Sequence, residues 1–314
     1  MILKEISLKH FTNRVLMVRP AAFGYNIETA ESNAFQNQVA LSRDEILHQA
    51  LIEFDGAVEI LRDAGVEVFV VQDTPFPEKP DAVFPNNWIS FHSNGELILY
   101  PMEARNRRCE RRLELVVELQ QKLNFSQVFD LSYFEEKSMF LEGTGSVVFD
   151  HENKRAYAAI SSRTNEEVLN KLCAHLNYNP ILFHAEDEMG QAIYHTNVIM
   201  CNGTNFVVIC LETIATESER LQVLESIRNS DKEVLDISMH QLKNFAGNML
   251  VLKNTDEEVL LVLSATAKES LNQNQLNFLS ERVRLVVLPI ETIETIGGGS
   301  ARCMLAEIFS EQMS

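Results

Sequence analysis

A cysteine at 303, a histidine at 195 and a glutamate at 142 could together form a nucleophile, a base and an orienting acid. A thiolate is a strong nucleophile and an imidazole titrates near neutrality. A carboxylate fixes the imidazole's tautomer and stabilises its charged form. Each residue sits in an unusual local sequence. Cys303 ends the run Gly297-Gly-Gly-Ser-Ala-Arg-Cys303, so three of the chain's twelve glycines stand just before it, where backbone can approach a ligand closely. Glu142 opens Glu142-Gly-Thr-Gly-Ser146, and His195 opens His195-Thr-Asn197. Singly, each has a plainer reading: a core thiol like Cys201 and Cys210 within apolar runs, a hydrogen-bonded core histidine, a turn acid before glycine. The catalytic reading requires that the fold gather all three.

The segments around them repeat as strand, turn, strand, helix, strand. One copy runs from Asn87–His92 through Glu96–Tyr100 and a helix over Arg107–Leu123 to Ser126–Leu131. The next has Ser146–Phe149, Arg155–Ile160, a helix over Asn165–Leu176 and a strand at Pro180–His184. The third has Asn197–Met200, Phe206–Leu211, a helix over Glu217–Arg228 and Glu233–Ile237; the fourth has Asn248–Leu252, Val259–Ser264, a helix over Glu269–Arg282 and Arg284–Leu288. A fifth copy is split, pairing Arg302–Ala306 with Val15–Arg19, a helix over Arg43–Ala64 and Val66–Val71. First strands thus recur at roughly 50 to 60 residues, bounded by Asn/Gly/Asp turns, with helical apolar spacing between them.

The pattern predicts a five-bladed, pseudo-fivefold α/β propeller of ββαβ units, sheets inside and helices outside, over a single domain 1–314. The split copy closes the ring without an unpaired sheet edge. Equivalent positions then converge on the axis: Asp81, Asn86 and Asn87, Glu142, His195 and Asn197, Gly247-Asn248, and the Gly297–Cys303 run. The segments 21–35 and Thr74–Pro80 are placed to cover one face.

Composition excludes other functions. The chain has 314 residues, 27 Lys+Arg against 45 Asp+Glu and a formal charge of −18, which opposes nucleic-acid binding. The densest basic stretch, Arg105–Arg112, reads as a charged helix face. No run is long and apolar enough for a membrane span, Met1–Phe11 lacks a signal-peptide core, and the expected location is the cytoplasm. Five cysteines without a C-x-x-C pair disfavour a disulfide framework or structural zinc. No cofactor is expected: His195 has no companions at metal spacing, and Gly297–Gly299 does not match a dinucleotide fingerprint. The sequence does not fix an oligomeric state.

At Gly297-Gly-Gly-Ser-Ala-Arg-Cys303-Met, Leu141-Glu-Gly-Thr-Gly, His195-Thr-Asn197 and Asp81-Ala-Val-Phe-Pro-Asn-Asn87 the sequence resembles the guanidine-modifying, or pentein, superfamily. That superfamily includes arginine deiminases, dimethylarginine dimethylaminohydrolases, amidinotransferases and citrulline-utilisation hydrolases. The resemblance spans essentially the whole chain and is nearest the citrulline-utilisation branch. It implies a five-bladed α/β propeller and a covalent mechanism in which Cys303 attacks the planar carbon of a guanidino or ureido group. His195 would protonate the departing amine and then activate water, with Glu142 paired to it. Arg107 and Arg163 fall where relatives hold arginines that grip a substrate carboxylate, although both also read as surface charge.

One departure bears on substrate. Relatives acting on guanidinium commonly place acids where this chain has Asn87 and Asn197. A buried cation without its acid costs about 3–5 kcal/mol, whereas an amide suits a neutral ureido group. The expectation is a cysteine-dependent hydrolase cutting C–N bonds of a citrulline-like amino acid toward ornithine, with Asp81 keeping a guanidino substrate open. The alternatives are an arginine deiminase, methylarginine hydrolase or amidinotransferase, and a non-catalytic propeller binding a protein or ribosomal surface.

Overall fold

The computed structural model describes residues 8–30 and 32–309. In chain order its strands and principal helices are β1 (Arg14–Arg19), α1 (Arg43–Asp63), β2 (Glu67–Gln72), β3 (Ile89–Phe91), β4 (Glu96–Leu99), α2 (Leu113–Leu123), β5 (Gln127–Asp130), β6 (Val148–Asp150), β7 (Arg155–Ala159), α3 (Glu166–Leu176), β8 (Asn179–Phe183), β9 (Met200–Asn202), β10 (Phe206–Ile209), α4 (Glu217–Arg228), β11 (Glu233–Asp236), β12 (Leu250–Lys253), β13 (Val259–Ser264), α5 (Ala265–Ser270), α6 (Gln273–Ser280), β14 (Arg284–Leu288), α7 (Glu291–Gly297) and β15 (Ala306–Glu307).

These strands form five three-stranded sheets, β3-β4-β5, β6-β7-β8, β9-β10-β11, β12-β13-β14 and β15-β1-β2. In every sheet the central strand pairs antiparallel with the first and parallel with the third. The parallel step requires a crossover, and the helix between second and third strands supplies it. First strands of adjacent blades lie side by side, β15 against β3 and β9 against both β6 and β12, so short, largely buried strands surround the axis. The chain is a five-bladed α/β propeller, and antiparallel β15-β1 pairing, with Leu16 opposite Ala306, closes it.

Helix caps explain where the elements begin. Ser42 and Glu45 form a capping box on α1, Asn165 caps α3, and Thr216 caps α4. Each helix then buries one apolar stripe, Ile46, Ala50, Phe54, Ala57, Val58 and Leu61 in α1.

Four sequence expectations need correction. The first strands begin later than read, because Pro85–Asn87, Gly143–Ser146 and Thr196–Ile199 are single helical turns ahead of β3, β6 and β9. Two of these turns are held by hydroxyls on backbone: Ser146 Oγ donates to Arg163 O and accepts from Glu142 N–H, and Thr196 Oγ1 donates to Ser146 O. Likewise Arg302–Met304 is a turn, leaving only Ala306–Glu307 as strand. The helix expected over 269–282 is two helices, since Ser264 caps α5 and Asn272 starts α6 with its own capping box. The helix expected over 107–123 is also broken, into Arg105–Arg108 and α2. The stretch Arg105–Arg112 is a charged helix face only in part: Arg105 is exposed, but Arg107 turns inward to Glu110, and Arg108 and Arg111 pair with Glu135.

Candidate active site

Glu142, His195 and Cys303 are 0%, 2% and 4% exposed, so the centre is closed to bulk water. Glu142 precedes the Gly143–Ser146 turn. Gly143 has φ +49° and a Cβ there would lie 2.2 Å from Asn86 O, so only glycine permits the chain to press against the neighbouring blade. A Cβ on Gly145 would strike Asn87 Nδ2 and His195 Nδ1, at 2.4 and 2.7 Å. The Gly-Thr-Gly run thus makes room for the imidazole.

His195 Nε2 lies 2.9 Å from Glu142 Oε2. Burial disfavours a charge on Glu142, but the Arg163 guanidinium, 3.5 Å away, and the His195 hydrogen bond hold its carboxyl well below the usual carboxylate range. The anion accepts the Nε2–H, which leaves Nδ1 as the basic nitrogen beside Gly145 and Asn87. Burial pulls the imidazole down to about 4, against the upward pull of Glu142. His195 is therefore neutral at physiological pH and able to accept a proton.

Two residues after His195, Asn197 reaches the thiol, its Nδ2 3.4 Å from Cys303 Sγ. Asn248, from the next blade, places its Nδ2 3.3 Å from the same sulfur. Phe84 lies against Gly299 and Gly297, where any Cβ would meet its ring at 3.0 and 2.8 Å, so the glycine run brings the Cys303 turn onto an aromatic wall.

Asp81 and Asn87 are joined by Arg107. Its Nη1 donates to Asn87 Oδ1 at 2.7 Å, its Nη2 to Phe84 O, and its Nε and Nη2 clasp Glu110 at 2.8 and 3.0 Å. Asp81 Oδ2 lies 3.8 Å from Arg107 Nε and accepts from Asn26 Nδ2 at 2.7 Å. Burial raises Asp81 above its ordinary value, against the pull of Arg107, and raises Glu110 to about 7. Asn86 Nδ2 donates to Thr144 Oγ1. Four buried side-chain atoms in this group have no hydrogen-bond partner: Asp81 Oδ1, Asn86 Oδ1, Asn87 Nδ2 and Asn197 Oδ1. Buried polar groups are normally satisfied, so one donor and three acceptors left open in this group are free to meet a polar ligand.

Arg107 and Arg163 are each 2% exposed, and neither is surface charge. Arg163 donates from Nη2 to Thr29 O and Ser32 Oγ, pairs with Glu103 and Glu142, and lies over the Tyr194 ring. It ties the segment 21–37 to Glu142. That segment lies across the centre: Asn26 bonds Asp81, Asn33 Nδ2 donates to Gly298 O, and Gln36 Nε2 to Gly297 O. Glu31 within it lies outside the described residues. The other candidate cover, Thr74–Pro80, folds on itself around Lys79, whose Nζ reaches Thr74 O, Pro77 O and Asp73.

The sequence pattern places Asn248 at the axis without giving it a role, and it leaves Asn26 and Ser32 out of the site. Asn248 was visible as a polar residue in the equivalent position of the fourth blade; nothing in the pattern distinguishes Asn26 or Ser32.

Five ββαβ blades around a buried Cys, His and Glu define the guanidine-modifying pentein class. A family profile described as N,N dimethylarginine dimethylhydrolase, eukaryotic, matches residues 19–310, and the chain belongs to that family. It is thereby a hydrolase acting on non-peptide C–N bonds, and the binding-only reading of the fold is set aside. Among solved structures, the N-terminal domain of ArgZ, an arginine dihydrolase from the ornithine-ammonia cycle in cyanobacteria, is similar at TM-score 0.71 and 17% identity, over 95% of this chain and 98% of that one. Unliganded AgrE is similar at TM-score 0.71 and 20% identity, over 94% of this chain and 39% of its own. A dimethylarginine dimethylaminohydrolase caught as an adduct with S-methyl-L-thiocitrulline is similar at TM-score 0.64 and 15% identity, over 95% and 100%. At these identities the three establish the fold. No curated protein sequence matches the chain significantly. No helix among the described residues is long and apolar enough to cross a membrane.

Proposed function

We propose that the chain hydrolyses the ureido group of a citrulline-like amino acid, with Cys303 as nucleophile, His195 as proton carrier and Glu142 as its partner. The observation that carries this reading is Asn87: Arg107 holds its oxygen, so its unpartnered Nδ2 is the group left to meet a ligand. An N–H suits a carbonyl oxygen and not a guanidinium. Asn197 Oδ1 and Asn86 Oδ1 are acceptors for ureido N–H groups.

In the proposed reaction Cys303 sulfur bonds to the ureido carbon while its proton passes to His195 Nδ1. The oxygen's developing charge is met by Asn87 Nδ2–H. The imidazolium, a strong acid because burial disfavours it, returns that proton to a departing nitrogen, and the carbon–nitrogen bond breaks to release ammonia. Glu142 stabilises the transient charge. Neutral His195 then takes a proton from water, whose oxygen displaces the thiolate and leaves a carbamic acid that decomposes to ornithine and carbon dioxide. Water plus the substrate thus gives the amine, ammonia and carbon dioxide.

A second reading, a guanidino substrate, is favoured by the family match and by one feature of the site. Asp81 Oδ1 is a free carboxyl oxygen, and it would suit a guanidinium N–H. Incubating the protein with citrulline, arginine and methylarginines, with Cys303→Ala as control, separates the two by mass spectrometry of products. Ornithine from citrulline supports the ureido reading. Rapid turnover of arginine with citrulline inert refutes it.

A further inference from the structure

Cys303 Sγ receives two side-chain N–H groups, from Asn197 Nδ2 at 3.4 Å and Asn248 Nδ2 at 3.3 Å, with Asn248 Oδ1 farther off at 3.6 Å, and both asparagines are fully buried. Asn248 cannot turn over. Its Nδ2 also donates to Asn197 O at 3.0 Å, and its Oδ1 accepts the Arg302 backbone N–H at 3.1 Å. Exchanging oxygen and nitrogen would set an acceptor against Asn197 O and a donor against the Arg302 N–H, losing both bonds. The preceding Gly247 lets the fourth blade come this near, because a Cβ there would lie 2.2 Å from Val198 O. The same Arg302 N–H belongs to the turn that carries Cys303, so one side chain fixes both the turn and the sulfur.

From this clamp we infer that Asn248 is a positioning residue for the nucleophile: with Asn197 it aims N–H groups at the Cys303 sulfur and favours the thiolate. The inference rests on Cys303 being the nucleophile. A thiolate usually gains its stability from a neighbouring cation or helix N-terminus. The charge-bearing groups facing this turn do not provide one: Glu294 on the preceding helix, which accepts from Ser300 Oγ, is an acid that burial pushes up. His195 is held neutral by burial at physiological pH, and Tyr194, whose hydroxyl donates to Gly298 O, is pushed up by burial and remains a phenol. Arg302 turns its own guanidinium away to Leu305 O and Glu307. Neutral amide dipoles are what the sulfur meets.

The test is the pH dependence of Cys303 alkylation by iodoacetamide in the full chain, read residue by residue by peptide mass spectrometry, for wild type, Asn248→Ala and Asn248→Asp. Losing one N–H to an anion should move the half-maximal pH upward by about one unit in Asn248→Ala. Asn248→Asp keeps the acceptor for the Arg302 N–H but sets a carboxylate against the sulfur, so its midpoint should move at least as far. In both, kcat should fall about tenfold or more with KM little changed. If Asn248→Ala does not fold, as judged by circular dichroism, the isosteric Asn248→Asp decides alone. Midpoints equal to wild type in a folded variant overturn the inference, even where activity is lost. Alkylation needs no substrate, so failure of the ureido assignment leaves this measurement intact. An active Cys303→Ala enzyme would instead refute the nucleophile assignment on which the inference rests.

Discussion

Replacing Asn87 by aspartate should convert the proposed seat for a neutral carbonyl into one for a cation. Arg107 Nη1 holds Asn87 Oδ1 at 2.7 Å, so an aspartate keeps that contact and presents its second oxygen where Nδ2 now stands unpartnered. A ureido oxygen loses a hydrogen bond worth about 1 kcal/mol and faces an anion instead. A guanidinium gains a charge-assisted bond of about 1.5–3 kcal/mol. Together these shift the preference between citrulline and arginine by about 3 kcal/mol or more, at least about a hundredfold in the ratio of kcat/KM values. The assay is competition between the two substrates in one vessel, with products followed by mass spectrometry for wild type and Asn87→Asp. Glu110 and Asp81 already crowd Arg107, so the variant's Tm should also fall. A ratio that is unchanged, or that moves toward citrulline, refutes the role given to Asn87.

Three further outcomes are expected. Glu142→Gln removes the charge that stabilises protonated His195, and kcat should drop by about a hundredfold to ten-thousandfold with the fold retained, as steady-state kinetics with circular dichroism would register. Arg107→Met strands Glu110 and releases Asn87, so urea denaturation should show a loss of about 3–5 kcal/mol; a folded variant altered only in KM would mean that Arg107 grips substrate instead. His92 is buried against Ser90 Oγ, and burial pulls its imidazole from 6.5 to about 3, so the unfolded chain takes up the proton first. Its contribution is intact above pH 6.5 and is lost on acidification toward about 3. Between pH 6.5 and 5 the loss is about 2 kcal/mol, and denaturation midpoints at the two pH values should diverge less in His92→Gln than in wild type.

Much of the fold was legible because five units repeat with similar strand and helix signals. The helix read over 217–228 and the strand over 284–288 are those observed, since Thr216 caps the one and an apolar β-branched run forms the other. The split at Asn272 was missed because helical spacing continues across it and only the side-chain cap resets the helix. The strand starts were misjudged where Ser146 and Thr196 bond to backbone of distant segments, a choice that depends on neighbouring blades. The polar residues at the axis were legible as a set from blade register. Their division of labour was not: Arg107 and Arg163 looked alike as isolated arginines, and contacts from distant segments decide that one orients Asn87 and the other anchors the 21–37 segment.

The most direct measurement is mass spectrometry of the protein acid-quenched during turnover of citrulline. The account predicts an adduct on Cys303 alone, equal to the substrate less ammonia, that forms and decays at rates consistent with kcat and is absent from Cys303→Ala. Turnover with no adduct at any quench time, together with a fully active Cys303→Ala enzyme, would contradict it.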